Sequence, residues 1–242
     1  MVRLSAAKYI GAMLQRALAH LSCHLPSQCL LCHAWPAQRF CAACVAHFAR
    51  PQLRCPACAL PRQRPDQPCA GCHKADWPLD QTLATLRYAY PWIAPIQHFK
   101  FREHTGLAQP FAMLMRQQPA LAHCLADADQ IIPMPLSNAR LRARGFNPSL
   151  LLARALCHSK VNTRLLARPR DTAAQSSLTR HQRWHNVQDA YQVIDAGAVA
   201  RSQHILLLDD VMTTGASLCA AARTLRQAGA RQVSALVLAR TE

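Results

Sequence analysis

The sequence predicts an α/β protein, a parallel sheet with flanking helices preceded by a small cysteine-rich module. Three observations carry this. Four Cys-x-x-Cys pairs fall within residues 29–72. A continuous apolar run, Ile205–Leu208, ends in Asp209 and Asp210, passes through Thr213-Thr214-Gly215, and gives way to helical spacing from Leu218 to Leu225. An unbroken apolar run suits a strand buried on both faces of a parallel sheet. A second apolar run, Ile131-Ile132, enters a proline-stiffened turn, Pro133-Met134-Pro135-Leu136-Ser137. The 242 residues suffice for one medium domain or two small ones, and 51% hydrophobic content can fill a core. No stretch reaches the roughly 18 uninterrupted apolar residues of a membrane span.

The first element is a leader, residues 1–22. Leu4, Ile10, Met13, Leu14, Ala17, Leu18 and Leu21 follow helical spacing, while Lys8, Gln15 and Arg16 interrupt it. This reads as an amphipathic helix rather than the apolar core of a secretory signal, so the expected compartment is the cytoplasm. The alternative is a helix lying on the inner face of the membrane.

The second element spans about residues 24–76. Cysteines in a cytoplasmic chain are not read as disulfides. The pairs Cys29/Cys32, Cys41/Cys44, Cys55/Cys58 and Cys69/Cys72 each suit a tight turn presenting two thiolates to one metal. Two such knuckles complete a tetrahedral zinc site of four thiolates, so about two structural Zn²⁺ are expected. Neighbouring pairs sharing a metal is favoured because short intervals close hairpins; a cross-braced arrangement is the alternative. A thioredoxin-like redox pair needs one such motif on a βαβ frame, and four argue against it. Cys29–His33 and Cys69–His73 also match the haem-attachment pattern, but that chemistry belongs outside the cytoplasm, and His33 and His73 read as surface residues. With little else to build a core, this module should depend on its metals to fold.

The third element, about residues 80–242, is the α/β domain. Strands are expected near Thr82–Tyr90, Gln130–Pro133, Gln203–Asp209 and Val233–Arg240, with helices near Pro91–Phe101, Leu107–Gln117, Pro148–His158 and Ala216–Ala228. A strand, a polar loop and a helix N-terminus form a phosphate cradle: free N–H groups point outward and Gly215 lets an oxygen approach the backbone. Thr213, Thr214 and Ser217 add hydroxyl donors. Two carboxylates beside that cradle would repel phosphate, so Asp209 and Asp210 suit sugar hydroxyls, or water on a metal ion. A phosphorylated ribose meets both demands.

Charge points the same way. The chain has 28 Lys+Arg against 12 Asp+Glu, a formal net charge of +16; eight thiolates and two Zn²⁺ would lower it to about +12. From Asn138 to Arg183 nine arginines and one lysine face a single acid, Asp171. Guanidinium grips phosphate in a bidentate fork, so this segment suits phosphate contacts. Arg140, Arg142, Arg144, Arg168, Arg180 and Arg183 are the candidate nucleic-acid contacts. Phe146 and Trp184, in or beside this stretch, could stack on bases, or could equally be core.

The block from His204 to Ser217 resembles the phosphoribosyl-pyrophosphate (PRPP) signature of type I phosphoribosyltransferases: four apolar residues, two acids, two spacers, Thr-Thr-Gly, then a small residue and Ser or Thr. The resemblance implies that Asp209 and Asp210 bind the ribose hydroxyls, and that Thr213, Thr214, Gly215, Ala216 and Ser217 wrap the 5′-phosphate. Taken with the four cysteine pairs, the Pro-x-Pro-Leu-Ser turn and Arg144-Gly145-Phe146-Asn147, the chain is similar to the ComF/GntX family of DNA-uptake and DNA-utilisation proteins. The likeness runs from about Cys29 to Arg240. It implies a type I phosphoribosyltransferase-like sheet, a pyrophosphate-side loop at Pro133, Met134, Pro135, Leu136 and Ser137, and a flap over residues 168–190. It also implies a competence role, handling single-stranded DNA for natural transformation, with a DNA-translocation or recombination component as partner and Mg²⁺ accompanying PRPP. A metabolic phosphoribosyltransferase with an unknown acceptor is the alternative. No lysine is placed in sequence to assist a leaving pyrophosphate, since Lys100 lies far upstream and Lys160 falls on an expected helix; turnover stays open.

Overall fold

The computed structural model describes residues 27–35, 37–63, 67–74, 77–101, 104–171, 187 and 189–242. The expected leader helix, Arg180, Arg183, Trp184 and most of the expected flap lie outside the described residues. By its contacts the chain divides between Phe48 and Ala49 into two compact units.

In the first unit the chain forms an isolated antiparallel bridge between Ser27 and Ala37 and then helix α1 (Ala42–Phe48). The second unit opens with another short antiparallel bridge, Arg54 to Pro61, followed by α2 (Ala70–Lys74). Its sheet begins at β1 (Gln81–Arg87), which leads into α3 (Ile93–Phe101), a 3₁₀ turn at Thr105–Leu107, α4 (Ala108–Arg116) and α5 (Pro119–Asp127). Then come β2 (Gln130–Pro133), α6 (Asn138–Arg144), α7 (Pro148–Cys157), β3 (Leu166–Ala167), β4 (Gln192–Val193), α8 (Ala196–Arg201), β5 (His204–Met212), α9 (Ala216–Gln227) and β6 (Gln232–Arg240).

The four long strands make one parallel sheet in the order β1-β6-β5-β2. The apolar runs dictate this placement, since Ile205–Leu208 and Val233–Ala239 are buried throughout and take the two central positions. On one face Ile205, Leu207, Val233, Ala235 and Val237 share a core with Leu218, Cys219, Ala222 and Leu225 of α9. Against β5 and β2 lies α7, with α4 packed on it and Phe111, Met115 and Leu152 fully buried there. At β5 the strand runs three residues past its expected end at Asp209, because β6 pairs with it out to Met212↔Arg240. Asp210 therefore joins Asp209 on the strand.

Local chemistry sets the boundaries around the site. Ser137 caps α6 by accepting the Arg140 N–H at 3.3 Å, and Gly145 ends that helix in the left-handed conformation, φ 77°. Asn147 caps α7 through the Ser149 and Leu150 N–H groups, with Pro148 in the first turn. The Asn147 amide also donates to the Met134 carbonyl at 3.0 Å, tying the Arg-Gly-Phe-Asn block to the turn after β2. The antiparallel pair β3–β4 brings Leu166–Ala167 beside Gln192–Val193, so the two ends of the expected flap segment meet at a short ribbon.

The second cysteine group is part of this unit's core. Cys55, Ala57, Cys58, Ala59 and Cys72 belong to the same buried cluster as the sheet and α9. Thr82, at the start of β1, donates its N–H to the Pro56 carbonyl at 2.7 Å and its hydroxyl to the Ala57 carbonyl.

Candidate phosphoribosyl site and metal centres

The cysteine sulfurs gather into two sets, Cys29/Cys32/Cys41/Cys44 and Cys55/Cys58/Cys69/Cys72, with all sulfurs of a set within 4.8 Å of one another. Neighbouring pairs come together in both. Cys32 and Cys41 lie 3.7 Å apart, as do Cys58 and Cys69. A tetrahedral ion with Zn–S bonds of about 2.3 Å holds its sulfurs about 3.8 Å apart, so both sets fit zinc. The knuckles are shaped by backbone turns: His33 and Ala59 adopt left-handed φ of 60° and 56° immediately after the second cysteine of their pairs. Backbone N–H groups aim at the sulfurs, Cys41 at Cys29 (3.4 Å) and Cys69 at Cys55 (3.2 Å). Burial opposes ionisation of Cys29, but the N–H groups of Cys41, Cys32 and Leu31 outweigh it and draw the thiol down to about 6. The same contest leaves Cys55 at about 7, through the N–H groups of Cys58, Cys69 and Ala57. Those are thiols prepared to bind a cation as thiolates.

At the end of β5 the loop Thr213–Gly215 turns into α9 with Gly215 at φ 83°. A Cβ on Gly215 would stand 2.6 Å from the Met212 methyl and 2.8 Å from the Trp77 ring, so this position is closed to side chains on two counts. Thr213, Thr214 and Ser217 stay partly exposed, while Gly215 and Ala216 are buried, and the Thr214 hydroxyl accepts the Ala216 N–H at 3.3 Å. Asp209, Val211, Met212, Thr213, Gly215, Ala216, Ser217 and Leu218 line a small hollow here. The phosphoribosyl candidates thus converge on one place.

The acids themselves are held by residues far away in sequence. Asp209 accepts from the Ser149 hydroxyl and from the Asp210 N–H, both at 2.9 Å. Asp210 accepts from Lys100 Nζ at 3.0 Å and the Val211 N–H at 2.6 Å. Burial, then the Asp210 charge, push the Asp209 carboxyl up to about 7, against the opposing pull of Lys100. Lys100 lies 110 residues upstream of Asp210, too far for a local sequence signal, and α3 carries it to the end of β5. Tyr191 carries no sequence signal of its role either. Buried at the base of the expected flap, it hydrogen-bonds Ser217 and feels Arg168, Asp209 and Arg140.

Beside β5, the turn after β2 places Met134 N–H on the Leu208 carbonyl at 2.8 Å, so Pro133–Ser137 runs next to the acids as expected of a neighbouring loop. Ser137, however, is buried and spends its hydroxyl on Asp171 at 2.5 Å. The four candidate arginines among the described residues do not form one surface. Arg168 is 7% exposed and stacks over Tyr191, inside the unit. Because α6 is a helix, Arg140 and Arg144 lie one turn apart while Arg142 turns away. Burial and then the Arg168 charge lower the pKa of Arg140. Arg144 covers the ring of Phe101 at 4.9 Å, and Phe101, 64% exposed, is the aromatic displayed beside the basic helix, whereas Phe146 is partly buried.

A segment below the buried acids ties the second cysteine group to the phosphate loop. Arg240, 4% exposed, donates to the Cys58 carbonyl at 2.9 Å, the Met212 carbonyl at 3.2 Å, and the carbonyls of Thr213 and Thr241. No helix among the described residues is long and apolar enough to cross a membrane.

Comparison with known proteins agrees with this geometry. The phosphoribosyl transferase domain family matches residues 166–242, which contain β5, the loop, α9 and β6. The chain is similar to the DNA utilization protein YhgH of Escherichia coli strain K12, 30% identical over 168 residues that span 66% of this chain and 73% of the relative. It resembles the same protein of Salmonella typhi at 29% over 170 residues, 68% and 74% of the two chains. Competence protein F of Haemophilus influenzae is 28% identical over 168 residues, 66% and 73%. With paired four-cysteine clusters, a parallel sheet and a phosphoribosyl transferase loop on one chain, and relatives of this extent, the protein belongs to the ComF/GntX family.

Proposed function

We propose that this chain is a cytoplasmic DNA-utilisation accessory protein that binds a phosphoribosyl group at Asp209–Ser217 and handles single-stranded DNA. The observation that carries the reading is the loop itself: two hydroxyl acceptors at the end of a buried strand, followed within five residues by a glycine-opened helix N-terminus. That is a site for a sugar hydroxyl pair and a phosphate a few ångströms apart. Relatives named for DNA utilization and competence support the polymer role.

The chain's own groups divide the work. Asp209 and Asp210 accept from ribose hydroxyls, the Thr213–Ser217 loop donates to the 5′-phosphate, and the turn at Pro133–Ser137 borders the pyrophosphate side. Magnesium would travel with the pyrophosphate of PRPP. The two Cys₄ clusters hold structural zinc. Arg142 and Arg144, with Arg140 behind them, offer phosphate contacts, and Phe101 offers a ring on which a base can stack; Arg180 and Arg183, outside the described residues, are further candidate contacts by sequence alone.

The test pairs two titrations on the full chain. Single-stranded DNA should bind with an affinity that falls steeply with salt, by a slope of about −0.7 per phosphate contacted. Replacing Arg140, Arg142 and Arg144 together by Ala should flatten that slope by roughly one to two units for any base sequence. A PRPP pyrophosphate-release screen runs beside it. Pyrophosphate release without salt-dependent DNA binding would overturn the accessory role in favour of a metabolic transferase.

A further inference from the structure

Three ion pairs join described side chains, and two of them, Arg87–Glu242 and Arg226–Asp80, lie at the surface. The third, Lys100–Asp210, is different: its side chains are 18% and 9% exposed, and it sits at the acids of the phosphoribosyl loop. Lys100 also acts on Asp209, where its charge opposes the effect of burial. Among the described residues, the hydrogen bonds to the acids arrive at one oxygen each, Oδ1, from Ser149, Lys100 and two backbone N–H groups. On the phosphoribosyl reading, the second oxygen of each carboxylate accepts from the sugar.

Two adjacent carboxylates repel one another and would repel a phosphate bound a few residues away. A part-buried pair of this kind needs a countercharge. A divalent cation could supply it, but the Asp210 position is already taken by a lysine ammonium at hydrogen-bond distance. The diacid therefore does not fit a site that must recruit magnesium to become usable.

We propose that Lys100 is the resident cation of the phosphoribosyl site, a positioning residue that balances Asp209 and Asp210 so that the sugar phosphate binds without a divalent ion. This rests on the phosphoribosyl reading above. Magnesium then matters only for ligands that carry a pyrophosphate.

Ribose 5-phosphate, which has no pyrophosphate, separates these roles. Calorimetry on the full zinc-loaded chain compares resin-treated, magnesium-free buffer with the same buffer plus magnesium chloride. The wild type should bind equally in both. Lys100→Met should bind about tenfold more weakly without magnesium, the scale of one lost charge-assisted interaction, and recover when magnesium is added. Lys100→Arg should keep magnesium-free binding. A structural role for Lys100 would not create magnesium dependence. Wild-type binding that requires magnesium overturns the proposal by itself, whether or not Lys100→Met folds, and so does Lys100→Met binding as tightly as wild type in magnesium-free buffer. Absence of ribose 5-phosphate binding in both buffers overturns the phosphoribosyl reading itself, a different outcome.

Discussion

Replacing Arg240 with Met tests whether the second metal cluster and the phosphate loop share one framework. The Arg240 guanidinium is the link between them: it donates to the Cys58 carbonyl on one side and to Met212, Thr213 and Thr241 on the other. Met keeps much of the apolar stem and removes every donor. The Cys58 carbonyl loses its donor within the interior, whereas the Met212 carbonyl keeps the Thr241 N–H; leaving a buried acceptor unsatisfied costs about 1–3 kcal/mol. Relief of the desolvated guanidinium offsets part of that, so a net loss of about 1–2 kcal/mol is expected. Urea unfolding followed by tryptophan fluorescence reads the stability, and ribose 5-phosphate calorimetry reads the loop. Both should fall together, with zinc at the second cluster held less tightly. Arg240→Lys should rescue neither fully, because an ammonium lacks the planar fork that reaches carbonyls on two sides. An Arg240→Met protein with an unchanged midpoint and unchanged ligand affinity would refute the reasoning.

Three further outcomes follow from the same geometry. Metal analysis should find about two zinc ions per chain, and Cys55→Ser with Cys58→Ser should lower the melting temperature of the sheet unit, whereas Cys41→Ser with Cys44→Ser should leave it folded. Equal effects of the two double mutants on sheet unfolding would contradict the placement of the second cluster in the core. Gly215→Ala should cost about 2–3 kcal/mol in thermal stability and abolish ribose 5-phosphate binding, since the new methyl meets a left-handed φ and the rigid Trp77 ring; binding that survives would show the loop to be dispensable. Asp209→Asn should change stability in a pH-dependent way. The Asp209 carboxyl titrates at about 7 in the fold, raised by burial and Asp210, so its ionisation destabilises the native state progressively as pH rises from about 4 through 7. The gain from Asn should therefore be larger at pH 8 than at pH 5, and a gain independent of pH would rule that titration out.

Much of the site was legible because its residues are contiguous. A buried strand must be apolar without interruption, a phosphate loop needs glycine and hydroxyls in order, and a thiolate knuckle needs two cysteines three apart; each constraint is local, so each leaves a mark that a single sequence carries. The strands at 130–133 and 233–240 belong to the same class of signal. Tertiary structure alone decided what meets these pieces. Lys100 reaches Asp210, Ser149 reaches Asp209 and Arg240 reaches Cys58 across separations of 110, 60 and 182 residues, distances over which no periodicity operates. The chain also could not show that Arg168 points inward while Phe101 points outward, since an arginine in a basic run reads the same whether or not an aromatic ring lies beneath it. Likewise the cysteine spacing announces two metal sites, but the second is built into the sheet's core because Thr82 and Arg240 hydrogen-bond its knuckle backbone, and those bonds exist only once β1 and β6 lie side by side.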